Sequence, residues 1–400
     1  MVIIVGLLLP SRILKSKAKI FKMSFVTSRQ EALDKLALFN DQFIQDYSAK
    51  RNFDLGPSER NNVSCLSPYI THRLITEYEV VKKVLAKHAF VKVDKFIQEV
   101  FWRVYWKGWL ELRPKVWEDF LKDLKHLTLD QNYELATQGK TNITCFNDWV
   151  QELRSSNYLH NHTRMWFASI WIFTLKLPWQ LGAEFFMKHL ADGDAASNTL
   201  SWRWVAGLQT KGKHYVAQAW NIAKFTNDRY QNVKLNEQAT PIEDDRIYSI
   251  KKKEMNSNPK GEHLLFFEND LNLETIKLKD YKSLNYLILP NEQRKIKLAQ
   301  NVLSYKEKVI VDQIARLNKN VRKLKIEELD ALVQSKEGLD VIYPNIGENL
   351  TYLQSIESKY NIKLHYIERS EDAYCHQFST KGFFNFKENI PKIITHLKLS

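Results

Sequence analysis

Between Tyr158 and Trp204 the chain reads YLHNHTRMWFASIWIFTLKLPWQLGAEFFMKHLADGDAASNTLSWRW, an apolar, tryptophan-rich stretch with few polar groups. Arg164, Asp192 and Asp194 bring charge into it, and Asn161 and Asn198 bring carboxamides. A charge in such surroundings must be paired or must hold a polar ligand, because an unpaired buried charge costs too much. Apolar aromatic walls with a few convergent polar groups are the usual makeup of a cofactor pocket. Asn161, Arg164 and Met165 are spaced i+3 and i+4, which sets them on adjacent faces of one helix. Asp192 and Asp194 flank Gly193, so a simple turn accounts for them equally well, and His160 reads as a core histidine.

Three earlier stretches have to position these groups. In EALDKLALFNDQFIQDYSAKR, Leu33, Leu36, Ala37, Phe43, Ile44 and Tyr47 recur at helical spacing. Gly56-Pro57 and Asn61-Asn62 then break the chain. VSCLSPYI (63–70) looks like a helix start, with Ser67 as cap and Pro68 at the first position. Such a terminus favours phosphate, although capping alone explains the residues equally well. FIQEVFWRVYWKGWLE (96–111) predicts a helix with an aromatic face bearing Glu99, Trp102 and Arg103. Pro114 ends it.

YLHNHTRM and DGDAASNTLSWRW together, in this order and spacing, resemble the FAD-binding helical domain of the DNA photolyase/cryptochrome family. The resemblance implies FAD as cofactor, held by Tyr47, Ser64, Leu66, Ser67, Arg103, Asn161, Arg164, Asp192, Asp194 and Asn198. It places Ser64, Leu66 and Ser67 at the FAD phosphates with Arg103, pairs Arg164 with Asp192, and sets Asn198 opposite flavin N5. A neutral carboxamide there does not readily supply a proton, which suits a fully reduced anionic flavin. It implies a lesion pocket of Glu99, Trp102, Asn161, Met165 and Trp204, where flat aromatic walls would hold a flipped-out pyrimidine dimer. Asn161 and Met165 resemble the cyclobutane-dimer type rather than the (6-4) type. Trp202 and Trp179 match the first two members of the family's electron-transfer chain. Ala136 stands at the third, and Tyr133, Trp149, Trp166 and Trp171 are the candidate substitutes.

Composition agrees with two domains of different character. The chain has 400 residues, and all eleven tryptophans fall between Trp102 and Trp220. The formal net charge of +13 fits either a solvated basic surface or a polyanionic partner, nucleic acid first. The three cysteines, Cys65, Cys145 and Cys375, are too scattered for a zinc site or a four-thiolate cluster. No metal is expected, and a reducing, cytoplasmic setting fits. GLQTKGKH (207–214) has phosphate-loop spacing, but His214 stands where Ser or Thr is needed. The apolar run 2–9 is too short to span a bilayer, and no membrane partner is expected. Residues 1–22 are expected to lie outside the fold, with Met23 as the natural start.

From about 229 to 260 the chain turns polar, which reads as a linker after a helical domain over 23–228. Beyond it, HLLFFEND, NYLILP, GLDVIYP and IKLHYIE alternate with amphipathic runs such as NEQRKIKLAQNVLSY and LTYLQSIESKY. That alternation predicts a smaller Rossmann-like α/β domain over 261–400 with a mostly parallel sheet. LLFFENDLNLETIKL and FSTKGFFNFKENIP resemble the opening and closing segments of the family's antenna domain, here placed after the flavin domain. No antenna chromophore is assigned. The expected class is therefore α plus α/β, and the function implied is light-driven repair of cyclobutane dimers by a monomer whose partner is DNA containing pyrimidine dimers. A cryptochrome-like photoreceptor and a (6-4) photolyase are the alternatives.

Overall fold

The structure is a computed structural model that describes residues 25–251, 258–276, 278–335 and 337–400. The expectation for residues 1–22 lies outside the described residues, as does part of the expected linker.

The first half is helical. Its leading helix, Arg29–Gln42, is capped by Ser28, whose hydroxyl accepts from Glu31 N at 3.3 Å. The central helix, Phe90–Glu111, carries apolar residues on so many faces that it must be covered all round. It packs on the helices Glu77–Leu85 and Ala195–Ala206, and also on Ser370–His376 and Phe383–Glu388 from the far end of the chain. Pro114 cannot continue the helix, and a new one, Lys115–Leu124, starts behind it. The helix Ala195–Ala206 stops at Gly207, where φ is +86° and a Cβ would sit 2.6 Å from Pro241 Cβ. Only glycine meets both demands.

The second half is a five-stranded parallel sheet of order β3-β2-β1-β4-β5. Its strands are β1 His263–Phe266, β2 Ser283–Tyr286, β3 Val321–Lys323, β4 Leu339–Ile342 and β5 His365–Ile367. β1 lies in the middle, pairing His263 with Ser283 on one side and with Leu339 on the other. Side chains alternate across a strand, and β1 uses both faces. Leu264 and Phe266 join a core shared with the helical half, while Leu265 and Phe267 join a second core with Val341 and Leu353. Burial on both faces is the usual condition for parallel strands.

β1, β4 and β5 fall within apolar runs of the sequence and β2 overlaps one at Asn285-Tyr286; β3 carries no such run, and its Arg322 and Lys323 face solvent. The amphipathic run 291–305 becomes a helix only at Gln300. Before that, the Asn291 side chain bonds both Leu298 N and Leu298 O and pins a loop. The stretch 229–251 has no regular structure, yet it is strapped to the helical half. Ile242 N donates to Ala206 O at 2.9 Å and Lys251 N to Leu112 O at 2.8 Å.

A buried ionic network joins the halves. Arg73 pairs with Asp372 at 2.6 Å and Asp270 at 3.1 Å, and Arg369 pairs with Asp270 at 2.5 Å. Lys107 pairs with Glu77 at 3.1 Å, and Tyr78 Oη donates to Asp372 at 2.9 Å. Among the described residues, no helix is long and apolar enough to cross a membrane.

Candidate functional site

Asp192 sits at the centre. Its side chain is fully buried, and Oδ2 accepts from Arg164 Nη2 at 2.8 Å and from Ser67 Oγ. Burial alone would push the carboxyl up; Arg164, with Arg103 and Ser67, holds it below its ordinary value. A second pair lies beside the first. Arg103 Nη1 donates to Asp194 Oδ2 at 2.5 Å and to Thr71 Oγ1 at 2.7 Å. Thr71 in turn donates to Asp192 O at 3.2 Å, so the two pairs form one bonded set. Asp194 also caps the helix Ala195–Ala206, accepting from Ser197 N at 2.7 Å.

Ser67 is not the cap that its neighbour Pro68 suggests. It is the first residue of the short helix Ser67–Thr71, Leu66 precedes it, and its hydroxyl is given to Asp192. A hydroxyl proton given to a charged acceptor makes a stronger hydrogen bond than one given to a neutral group. Thr71 was missed by the sequence reading, although its i+4 spacing from Ser67 places both on one helix face.

The remaining residues form separate groups around this set. Asn198 is buried and its amide nitrogen donates to Ala183 O at 2.8 Å. Tyr47 meets Phe96 edge to face at 5.2 Å. Its phenol is pushed up by burial and by Glu99. Glu99 lies 3.8 Å from Arg51, and burial raises its carboxyl in spite of Lys95 and Arg51. Trp102 stacks on Phe383 with centroids 3.6 Å apart and planes 12° apart. Trp204 stacks on Tyr215 at 5.9 Å, and Tyr215 Oη lies 3.5 Å from His162 Nε2, next to Asn161. Asn161 is exposed, Ser64, Arg164 and Met165 are half-buried, and Leu66 is fully buried. Trp179 stacks on Phe120 at 5.5 Å, whereas Trp202 meets Trp171, Phe167 and Phe186. Phe383, Tyr215 and Arg51 had no signal in the local sequence that ties them to the site.

His160 is buried as expected and has a structural task. Its Nδ1 accepts from His162 N at 3.2 Å and caps the helix Asn161–Ser169. Burial lowers its pKa from 6.5 to about 4, with Asp54 pulling the other way. As pH falls, the unfolded chain therefore takes up the proton first. The stability due to neutral His160 is whole above pH 6.5 and drains away until pH is about 4. The loss should be on the order of 1–3 kcal/mol. Tm of the wild type should fall more steeply across that window than Tm of His160→Asn, and equal slopes would refute the assignment.

The set has spare valence for a ligand. Asp192 Oδ1 and Ser197 Oγ are buried without partners. The Arg103 and Arg164 side chains stay 14% and 22% exposed among otherwise covered neighbours, so their guanidiniums can still reach an incoming group. A molecule that combines hydrogen-bond donors with phosphates fits these demands, and a flavin dinucleotide is one. Behind the set, at the carboxyl ends of β1 and β4 where the strand order reverses, a cavity of about 60 Å³ is lined by Asp194, Glu268, Arg294, Lys306 and Asn349.

Residues 96–244 match the family described as the FAD binding domain of DNA photolyase. Over this segment the chain is similar to that domain. The matched span contains Glu99, Trp102, Arg103, Arg164, Asp192, Asp194 and Asn198, and so four members of the bonded set, while Ser67 and Thr71 precede it. The deoxyribodipyrimidine photo-lyase of Agrobacterium fabrum is 30% identical over 197 residues, covering 48% of this chain and 40% of that protein. The one from Synechococcus sp. is 30% identical over 207 residues, covering 48% of this chain and 42% of that protein. This chain thus matches about two fifths of each photolyase's length. The crystal structure of a bacterial class III photolyase from Agrobacterium tumefaciens aligns with a TM-score of 0.43 and 27% identity, over 50% of this chain and 43% of that one.

Proposed function

We propose that this chain repairs cyclobutane pyrimidine dimers in DNA under light, with reduced FAD held in the helical half. FAD, when bound, supplies the light absorption and the electron. The observation that carries the reading is the single bonded set of Ser67, Thr71, Arg103, Arg164, Asp192 and Asp194, with an unpartnered carboxylate oxygen inside the matched domain.

In this reading Arg103 and Arg164 neutralise phosphate, and Asp192 Oδ1 accepts from the ligand. Tyr47, Ser64, Leu66, Asn161 and Asn198 complete the cofactor walls. Glu99 can serve as a hydrogen-bond partner at the edge of a flipped base. Trp102 and Trp204 would offer flat faces to the lesion, and Asn161 and Met165 would touch it. The net charge of +13 draws the DNA backbone, so affinity should fall steeply with salt. Trp202 and Trp179 would re-supply electrons, the α/β half would act as an antenna-type domain, and the protein would work as a monomer.

The test is an absorption spectrum of the purified protein followed by illumination with dimer-containing oligonucleotide. Trp102→Ala and Glu99→Ala should each cut dimer splitting by at least about tenfold while keeping the bound flavin. Loss of flavin in either variant would make those residues structural instead. A flavin photoreceptor without repair is the second reading, and one observation favours it. Phe383 already covers one face of Trp102, which leaves a lesion at most the other. A light-driven spectral change without dimer turnover would select that reading.

A further inference from the structure

We propose that the α/β half contributes a ligand of its own to the flavin site: Tyr305, whose hydroxyl bonds the bound FAD beside Asp192. This rests on the flavin reading above and deepens it. Tyr305 lies on the helix Gln300–Leu317, outside the segment that matches the photolyase FAD-binding domain.

That helix is fastened where it meets the helical half. Ala299 N, just before its first turn, donates to Lys188 O at 2.9 Å, and Asn301 Nδ2 donates to Arg154 O at 3.2 Å. The residue after Tyr305, Lys306, lines the cavity that Thr71 and Asp194 also line. Tyr305 itself is buried, at 8% exposure. Its ring centroid lies 5.6 Å from that of His72, and His72 Nε2 lies 3.0 Å from Ala191 O, in the peptide that leads into Asp192. On another side the ring meets Phe25 at 6.4 Å, and Phe25 meets Tyr158 at 5.5 Å. The Arg164 guanidinium sits 5.1 Å over the Tyr158 ring. Tyr305 thus borders the Arg164–Asp192 pair through one residue on one side and two rings on the other.

Its hydroxyl is left over. Among the described residues, Tyr305 Oη is buried with no hydrogen-bond partner, and so is Asp192 Oδ1. A phenol in contact with a carboxylate would donate to it, since a charged acceptor makes the stronger bond. These two do not bond each other, yet Asp192 is near enough to help push the phenol up, after burial and Tyr69. Leaving either group buried and unmatched is costly. A third group placed between them satisfies both. It must donate to the carboxylate and accept from the phenol, which describes a hydroxyl or an amide-like edge. The ribityl chain of FAD carries the first and its isoalloxazine ring the second.

The experiment compares flavin-free and FAD-loaded full chain in the dark. Tyr305→Phe removes only the hydroxyl and keeps the ring that packs on His72 and Phe25. In a fluorescence titration with FAD its Kd should rise about tenfold. Tm of the flavin-free variant should equal or exceed that of wild type, because an unmatched buried hydroxyl is gone. At one saturating FAD concentration, the ligand should therefore raise Tm less in Tyr305→Phe than in wild type. Tyr281→Phe, which removes a hydroxyl bonded to Asp340 at the amino ends of the strands, should keep the wild-type Kd. Wild-type affinity in Tyr305→Phe would overturn the assignment. So would a joint fall of affinity and flavin-free Tm, which would make Tyr305 a packing residue. A wild type that binds no FAD would overturn the flavin reading itself, before any variant is compared.

Discussion

Asp192→Asn should fold but lose its hold on FAD, with affinity falling on the order of a hundredfold. Asp192 is fully buried and, among the described residues, is the sole carboxylate paired with Arg164, at 2.8 Å. Removing one partner of such a pair leaves the other charge uncompensated, at a cost of roughly 3–5 kcal/mol. Part of that cost falls on ligand binding, because the carboxylate oxygen left without a protein partner is the acceptor offered to the cofactor. Ser67→Ala removes only a hydroxyl from the same oxygen and should cost about 1 kcal/mol. Flavin retention through gel filtration and a fluorescence titration with FAD would measure both variants. Wild-type affinity in Asp192→Asn would remove this residue from the site.

The second large effect is expected at Arg73. Its guanidinium faces Asp372 at 2.6 Å, Asp270 at 3.1 Å and Glu77 at 3.7 Å, all of them buried. In Arg73→Met, Lys107 still serves Glu77 and Arg369 still serves Asp270. Asp372 would keep the Tyr78 hydroxyl but lose its paired cation. Roughly 3–5 kcal/mol of stability should disappear. The double variant Arg73→Met/Asp372→Leu should recover much of it, since apolar replacement of a whole buried pair is often neutral.

The pH dependence has a definite sign. Burial opposes the Asp372 charge, but Arg73 holds its carboxyl well below 3.8 in the folded chain. That stabilisation is present above the ordinary carboxylate range and is lost as pH falls through the depressed value. Arg73→Met should therefore unfold at a higher pH than the wild type. Urea unfolding at several pH values would show it, and an unchanged acid midpoint would argue that the network is dispensable.

Short-range physics was legible in the sequence. Helical spacing in 29–42 and 90–111 follows from side-chain period alone, and the break at Pro114 follows from backbone sterics. The apolar runs marked β1 and β4 because a central parallel strand buried on both faces favours hydrophobes. The charges of the site were legible too. Arg164, Asp192 and Asp194 sit in an apolar, tryptophan-rich stretch, where a charge must find a partner or a ligand.

What the sequence could not supply was the identity of distant partners. Phe383 lies 281 residues beyond Trp102, and no local pattern links a phenyl in one half to an indole in the other. Ser67 looked like a cap until a carboxylate 125 residues away took its hydroxyl. No local pattern paired Trp171 with Trp202 either; the π-turn at 170–174 and the bare Cα of Gly182 bring them together. Residue type determines what a side chain can do and how its own helix or strand repeats. Which groups meet is decided by chain closure, where packing and the cost of unpaired buried charge select one arrangement among many.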